Sequence, residues 1–304
     1  MKTRRAHFVF AVVAASLLSL SALPAAERTV DPTFLQRFVP ELKETKVDLS
    51  TPSCHYKPIF GLGDPQSRIV RGIARFGEMT IDAKGRSSET TCPGEEQVYL
   101  VLEGSGVLSY GGEQVEVVQD DFVYLAPGVR RSIWNAKDRP CRVIVMGFRV
   151  PLTPGPSSAG GQRKLSPGTT KLLKANINEV QKQRVGSHPP TVLYQLLVGD
   201  TKSTRDKIAA GQVLTSLFIM NFAPGGTNFP HHHEREEEIY LVLDGQGDMV
   251  AGGGMTGVEG RHPAKAGDAY FFRLNCTVGF YNRSEPGAEA RILAVRSLFP
   301  FGKP

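Results

Sequence analysis

One stretch of the sequence decides the fold: Pro230-His231-His232-His233-Glu234-Arg235-Glu236-Glu237-Glu238-Ile239-Tyr240-Leu241-Val242-Leu243-Asp244-Gly245. Three of the seven histidines stand together in it, and an acidic run and an apolar run follow them. Because successive side chains of an extended chain point to opposite faces, His231 and His233 share one face and His232 takes the other. The run Glu238–Leu243 predicts a strand, and a turn that folds back before it would bring the Glu238 carboxylate beside the two imidazoles.

Two imidazoles and a carboxylate on one face are typical of a site for a divalent transition metal with open coordination positions. We therefore interpret His231, His233 and Glu238 as metal ligands. The alternative is a solvated polar loop without a metal. In both interpretations the remaining acidic residues are expected on a solvent-exposed turn: Glu234, Glu236 and Glu237.

The second half of the chain repeats the first. The segment Gln97–Gly106 aligns with Glu238–Gly247, and Asp121–Asn135 aligns with Asp268–Asn282. The offset is larger for the second pair of segments, and the additional residues fall in the glycine-rich stretch 252–266, where a hairpin tolerates insertion. Each half contains short β-rich runs separated by Gly and Pro, so the sequence predicts a duplicated all-β unit.

This duplication divides the 304 residues into five segments. They are a leader (1–26), an N-terminal arm (27–67), a first β domain (68–150), a linker (151–190) and a second β domain (191–300). In the arm, Pro32–Val39 is expected to form a short helix. In the linker, Pro151–Gly168 is rich in Pro, Gly and Ser and is expected to be flexible, and the apolar stripe of Thr170–Gln183 predicts a helix.

Residues 1–26 have the pattern of a secretory signal peptide, with a basic start, the apolar run Phe8–Leu20 and small residues before a cleavage site near Ala25 or Ala26. The apolar run holds about 13 residues, fewer than the ~20 that a membrane span needs. We therefore expect a periplasmic or secreted protein with no stable membrane span after cleavage. The leader carries half of the net charge of +6, and no basic patch remains, so nucleic acid is not an expected partner.

The four cysteines show no CxxC spacing, so a zinc ribbon is not expected. Two interpretations are equally open for Cys54, Cys92, Cys141 and Cys276. In an oxidising compartment one disulfide is plausible, although the sequence does not identify the pair. Alternatively, the thiols are buried as small apolar residues.

With these motifs the sequence resembles the cupin superfamily in its two-domain form, the bicupins. The family's first motif has the form G-x5-H-x-H-x(3,4)-E-x6-G, and its fixed positions are matched by Gly225, His231, His233, Glu238 and Gly245. The resemblance implies an all-β fold of two tandem cupin barrels, each a double-stranded β-helix or jelly roll, joined by the Pro/Gly-rich linker and a short helix. It also implies a homodimer, since cupins commonly form dimers.

The second family motif, G-x5-P-x-G-x2-H-x3-N, is matched at Gly267 and Asn282, and Val278 replaces its histidine. Cupins usually bind Mn, Fe, Ni, Cu or Zn through three histidines and a glutamate, so the ligand set shrinks to His231, His233 and Glu238. This set favours Mn or Fe, with Ni, Zn and Cu as alternatives. Three interpretations stay open: free coordination positions, a shell completed by another group, or a metal-poor binding pocket. The candidates for the completing group are Asn275, Cys276 and Tyr281.

The first domain departs further from the family pattern. Its position for the glutamate holds Gln97, its two histidine positions hold Thr90 and Cys92, and Arg131 replaces the last histidine. The resemblance therefore implies a degenerate, metal-free barrel with a structural role. An alternative is an anion pocket lined by Cys92 and Arg131.

Four residues are candidates for substrate binding. Tyr240 lies two positions after Glu238 and should face the same interior, as should Val278 and Phe280 on the facing strand. Together they predict a mostly apolar cup for a small organic ligand, although Val278 and Phe280 suit the barrel core equally well. Arg273 could anchor a substrate carboxylate at the barrel mouth or lie at the surface.

The favoured function is an exported bicupin that binds a divalent metal in the C-terminal barrel and acts on a small organic substrate. Oxygenase-type or Lewis-acid chemistry would make it an oxidoreductase or a hydrolase or lyase, and no catalytic residue is assigned. A degenerate first barrel beside a metal-binding second one is similar to the layout of ureidoglycine aminohydrolase-type bicupins. The alternatives are a non-enzymatic binding or storage-type bicupin with structural or no metal, and a metal-free isomerase or epimerase.

Overall fold

The computed structural model describes residues 31–151, 171–186, 188–254 and 259–299. The predicted signal peptide and nearly all of the predicted flexible linker lie outside these ranges. Within them, the structure consists of nineteen strands and three short 3-10 helices, which confirms the all-β prediction. None of the described helices is long or apolar enough to cross a membrane.

The strands follow the duplication seen in the sequence. The arm and first barrel contain β1 (Phe34–Phe38), β2 (Cys54–Gly61), β3 (Ile73–Ile81), β4 (Glu95–Glu103), β5 (Ser105–Tyr110), β6 (Glu113–Val118), β7 (Asp121–Leu125), β8 (Arg131–Trp134) and β9 (Cys141–Arg149). The linker and second barrel contain β10 (Leu173–Asn176), β11 (Val192–Asp200), β12 (Ile208–Gly211), β13 (Leu214–Phe222), β14 (Glu236–Asp244), β15 (Gln246–Gly252), β16 (Glu259–Lys265), β17 (Asp268–Phe272), β18 (Thr277–Asn282) and β19 (Ala290–Leu298). The 3-10 helices are Val39–Glu41, Ser67–Ile69 and Ile177–Glu179.

Each barrel is formed by one large and one small sheet. The first barrel has the orders β10-β7-β4-β9-β3-β2 and β6-β5-β8, and the second has β1-β17-β14-β19-β13-β11-β12 and β16-β15-β18. Strands β3 to β9 and β13 to β19 occupy equivalent places, so the internal duplication is a repeat of one barrel.

The segment before each barrel adds a strand to the other barrel. Strand β1 pairs with β17, and β10 pairs with β7. The predicted helices at Pro32–Val39 and Thr170–Gln183 are therefore wrong in the described residues, which hold a strand followed by one 3-10 turn in both places. Without these partners, the edges of β7 and β17 would leave backbone N–H and C=O groups unpaired. Pairing with those groups stabilises a strand in each segment more than the weak helical periodicity stabilises a helix. Lys174 and Asn176 fix β10 by binding the two carboxylate oxygens of Asp121 at 3.0 and 2.9 Å.

The burial pattern of the strands explains their sequences. Strands β7 and β17 are buried at all positions because one face lines a barrel and the other packs between the two barrels. At that junction the rings of Phe60 and Phe271 lie 5.9 Å apart. Strand β5 alternates between buried and partly exposed residues because its outer face meets water. Continuous apolar runs therefore mark the sheets that join the barrels.

Two buried glutamates link the barrels, and we call them the glutamate clasp. Glu237 accepts hydrogen bonds from the backbone N–H groups of Arg71–Ile73 in the first barrel. Glu96, the equivalent residue of the first barrel, accepts them from Gln212–Leu214 in the second barrel and also binds the Tyr124 hydroxyl at 2.8 Å. The prediction that Glu237 lies on a solvent-exposed turn is wrong, because its side chain satisfies buried backbone donors of the other barrel.

All four cysteines lie in the described residues as free, buried thiols. Burial raises the pKa of Cys54 to about 12 and the pKa of Cys141 to about 11. These thiols act as small core residues, and the structure contains no disulfide among them.

Candidate metal centre

The histidine segment is held against β18 by backbone hydrogen bonds. The N–H of His231 donates to the Val278 carbonyl at 2.9 Å, and the N–H of Val278 donates back at 2.8 Å. The N–H of Asn275 donates to the His233 carbonyl at 2.8 Å. These bonds orient the two imidazoles toward the inner face of β14, where Glu238 lies.

The three predicted ligands converge in the second barrel. One ligand atom from each of His231, His233 and Glu238 lies within 4.8 Å of the others. The Nδ1 atom of His231 lies 2.8 Å from the Phe229 carbonyl, so Nδ1 carries the proton and the Nε2 lone pair is free to bind a metal.

Two of these candidate ligand atoms have no hydrogen-bond partner. His233 Nε2 and Glu238 Oε2 lie 3.2 Å apart, and both are buried. Their geometry does not form a hydrogen bond, although the distance would allow one. Buried polar atoms normally have a partner, so their arrangement fits a divalent cation between them. His231, His233 and Glu238 would hold that cation.

The electrostatics of the site suit neutral imidazole ligands. Burial lowers the pKa of His231 below its ordinary value, which keeps the ring neutral. Glu238 is 2% exposed, and Arg296 Nε lies 4.0 Å from its other oxygen. Glu236 Oε2 lies between His233 Nδ1 at 3.6 Å and Arg296 Nη1 at 3.4 Å, so this predicted surface residue supports the site.

The site opens into a cavity of about 510 Å³. Tyr194, Phe218 and Tyr240 form an aromatic wall, and Arg296 lies among them. The loop between β11 and β12 forms the charged mouth, with lining residues Asp200, Lys202, Ser203, Thr204, Arg205 and Asp206. An aromatic wall with a few charged groups is typical of a site for a small polar ligand.

Only one of the four predicted substrate-binding residues lines the cavity. Tyr240 lines the cavity, and its hydroxyl accepts a hydrogen bond of 2.9 Å from Asn228. Val278 and Phe280 are buried in the core of the second barrel and do not line the cavity. Arg273 also does not line it, and its Nη1 donates to the Pro32 carbonyl of the N-terminal arm at 3.4 Å.

None of the three candidates for completing the ligand shell lines the cavity. Asn275 is exposed with a left-handed backbone, φ 59°. Cys276 Sγ donates to the Gly252 carbonyl at 3.3 Å, and Tyr281 packs beneath the Arg261 guanidinium at 4.0 Å. Their side chains are already engaged elsewhere or turned to solvent.

Several residues that line the site were not predicted from the sequence, and two of them, His188 and Arg296, carry chemistry beside the candidate ligands. His188 lines the cavity, its ring centre lies 5.6 Å from that of His231, and its Nδ1 lies 2.8 Å from the Asn228 carbonyl. No spacing rule marks it, because it comes from the linker. Arg296 left only a weak signal, a charged residue directly after the apolar run Ile292–Val295 of strand β19.

The equivalent positions of the first barrel carry different chemistry. Gly147 takes the place of Arg296, because it pairs with Gln97 as Arg296 pairs with Glu238. Arg75 fills that space from the neighbouring strand and binds Glu95 at 2.9 Å. The barrel thus keeps an arginine–glutamate pair while lacking the histidines.

Comparisons with known proteins agree with this architecture. The model of the cupin domain matches residues 77–147 and 218–296. No curated protein matches the chain. Among solved structures, the chain is similar to the putative glyoxylate-induced protein of Pseudomonas aeruginosa, with a TM-score of 0.64 and 15% identity over 93% of this chain and 94% of that one.

Two further structures share the fold at low identity. Protein Ylba from E. coli has a TM-score of 0.60 and 16% identity, over 89% of this chain and 94% of that one. Bacillus subtilis oxalate decarboxylase, studied for its Mn(II) centres, has a TM-score of 0.60 and 12% identity, over 90% and 79%. With two cupin domains on two duplicated barrels, this protein is a two-domain cupin, a bicupin.

Proposed function

We propose that this bicupin is a metal-dependent enzyme whose divalent metal, Mn or Fe, is held by His231, His233 and Glu238. The observation that carries the proposal is the pair of buried, unpartnered donor atoms, His233 Nε2 and Glu238 Oε2, beside the free Nε2 of His231. Two imidazoles and one carboxylate favour Fe(II) or Mn(II) and leave coordination positions free. The Mn(II) centres of the oxalate decarboxylase with the same fold support this choice.

We propose a small carboxylate as the substrate. Arg296 lies on the cavity wall, and its Nε is a buried donor without a hydrogen-bond partner. Charge-assisted bonds from a guanidinium suit a carboxylate, and the cavity has room for one small molecule. A carboxylate between Arg296 and the metal ligands would satisfy the free Nε.

The remaining wall residues position the substrate and can move protons. When bound, a divalent metal supplies Lewis-acid polarisation or activates oxygen. The aromatic rings of Tyr194 and Phe218 exclude water from one side of the substrate. His188 keeps a proton on Nδ1 through the Asn228 carbonyl, so its Nε2 can accept a proton from the substrate. Burial raises the pKa of Tyr240 well above its ordinary value, so its phenol stays protonated and acts as a neutral hydrogen-bonding group.

The Arg296→Gln variant tests the substrate class. We expect its affinity for a small dicarboxylate such as oxalate or malonate to fall about 10–100-fold, because a hydrogen bond to a charged group is lost. Isothermal titration of the metal-loaded protein measures this. Arg291→Gln, on the same strand and outside this cavity, is the matched control and should bind as the wild type does. Equal affinities in wild type and Arg296→Gln would refute the carboxylate assignment.

A binding or storage role remains the competing function, and turnover separates it from an enzyme. Small carboxylates and phenols would be incubated with the metal-loaded protein under air and under nitrogen, with product detection by mass spectrometry. Turnover that requires both the metal and Arg296 would support the enzymatic function. Tight binding with no conversion in either atmosphere would favour a binding protein.

We also propose that the protein is exported and forms a homodimer. Residues 1–26 carry the signal-peptide pattern that supports export. Mass spectrometry of the protein from cell fractions would show a mature start near residue 26 in the exported fraction. An uncleaved protein would contradict the proposal of export.

Light scattering of the mature protein tests the homodimer and should give twice the chain mass. A mass equal to that of one chain would contradict the homodimer.

A further inference from the structure

We propose that the interior of the first barrel binds a small monovalent anion, of the size of chloride or formate, through Arg131. The site consists of Thr90, Cys92, Gln97 and Arg131, the positions equivalent to the candidate metal centre. We call it the anion site. It does not depend on the function proposed for the second barrel.

Arg131 is a buried cation without a carboxylate partner among the described residues. Its side chain is among the largest that are fully buried, at 1% exposure. Nη1 donates to the Val129 carbonyl at 3.0 Å, whereas Nε and Nη2 have no partner. Asp48 and Glu95, which reach into this barrel, are already paired with Arg75. A desolvated charge of this kind is costly unless an opposite charge accompanies it.

The groups around Arg131 form a shell that is rich in donors. Thr90 is bound to Arg131 by two backbone hydrogen bonds of 2.9 Å, and its hydroxyl has no partner. The Tyr99 hydroxyl is hydrogen-bonded to the guanidinium. The Nε2 of Gln97 is engaged with Glu95 at 2.8 Å, which leaves its Oε1 as an acceptor without a partner. Free N–H and O–H donors outnumber this acceptor, so an electron-rich ligand fits the shell.

The two barrels therefore present opposite charges at the same place. In the second barrel, Glu238 and Val278 give the site one negative charge. In the first barrel, the equivalent pair of positions, Gln97 and Arg131, carries one positive charge. Thr90, Cys92 and Gln97 are 9%, 7% and 0% exposed, and this burial limits the ligand to a few atoms. One fold thus carries a cation site and an anion site.

A thermal-unfolding titration tests the anion site. Purified protein is titrated with sodium chloride, bromide or formate at constant ionic strength, with gluconate, which is too large to enter, as the balancing anion. We expect a saturable rise in Tm of roughly 5–10 °C at a hundredfold excess over Kd. Arg131→Met should abolish the rise. Arg130→Gln is the matched control, because Arg130 is the adjacent arginine with a side chain 72% exposed, and it should keep the rise.

A crystallographic measurement covers the case in which Arg131→Met does not fold. Wild-type crystals grown in bromide should show an anomalous peak within hydrogen-bond distance of Arg131 Nε and Nη2. The proposal would be overturned by a Tm that does not depend on the anion or by a rise in Tm that does not saturate. Crystals grown in bromide without a peak beside Arg131 would also overturn it.

Discussion

The His231→Ala variant is expected to bind Mn(II) or Fe(II) more than about 100-fold more weakly than the wild type. Loss of groups that merely support a ligand already costs about 10–100-fold in affinity, so removal of a ligand should cost more. Glu238→Gln should weaken binding similarly, because it replaces the only carboxylate among the three ligands by a neutral amide. The reason lies in the geometry, since the three ligand atoms lie within 4.8 Å of one another and two of them, on His233 and Glu238, have no hydrogen-bond partner.

The histidine tripeptide supplies its own control. His232 is exposed and does not line the cavity, so His232→Ala should keep the metal affinity of the wild type. Untagged protein would be dialysed against each metal, and bound metal would be measured by plasma mass spectrometry and affinity by competition with a chelator. We expect about one equivalent in the wild type and in His232→Ala. Equal losses in the His231 and His232 variants would contradict the assignment of the ligands.

Glu237→Gln is expected to destabilise the protein by about 1–3 kcal/mol, the effect of leaving buried backbone donors without a full acceptor. The substitution keeps the shape of the side chain but places an amide N–H against the backbone N–H groups of Arg71–Ile73. The N–H groups of Gly72 and Ile73 are buried, so loss of their acceptor costs their full desolvation. A loss of this size lowers Tm by about 2–10 °C in a chain of this length.

Thermal and urea unfolding would measure this effect. Glu234→Gln is the control, since Glu234 is exposed three residues earlier and should change Tm by little. Glu96→Gln should destabilise the protein comparably, because it makes the reciprocal contacts with Gln212–Leu214. A Tm shift in Glu237→Gln as small as that of Glu234→Gln would show that the glutamate clasp does not hold the barrels together.

The fold was predictable from the sequence because strand periodicity and duplication are local properties. The alternation at Glu113–Val118 and the matching runs at Gln97–Gly106 and Glu238–Gly247 survive in the structure as β6, β4 and β14. The segments before each barrel were mispredicted, since their strands form only through pairing with a distant edge. Weak helical periodicity in Thr170–Gln183 could not compete with the pairing of β10 and β7, which lie far apart in the sequence.

The candidate site divides in the same way. The spacing of His231, His233 and Glu238 is a local pattern, and one strand and one turn suffice to bring the three together. Arg296 and His188 reach the cavity from a different strand and from the linker, and only the folded barrel places them there. The substrate positions assigned to Val278 and Phe280 do not reach the cavity, because both side chains pack into the core of the second barrel.

The sequence by itself determined the duplicated all-β architecture and the three candidate ligands, because both depend on residue period and spacing within short segments. The tertiary structure alone decided which acidic residues are buried, how each barrel completes the other's sheet, and which side chains line the cavity. Glu237 shows the physical reason most directly. Its place in an acidic run suggests a solvent-exposed turn, but it is buried because backbone donors 165 residues away require an acceptor.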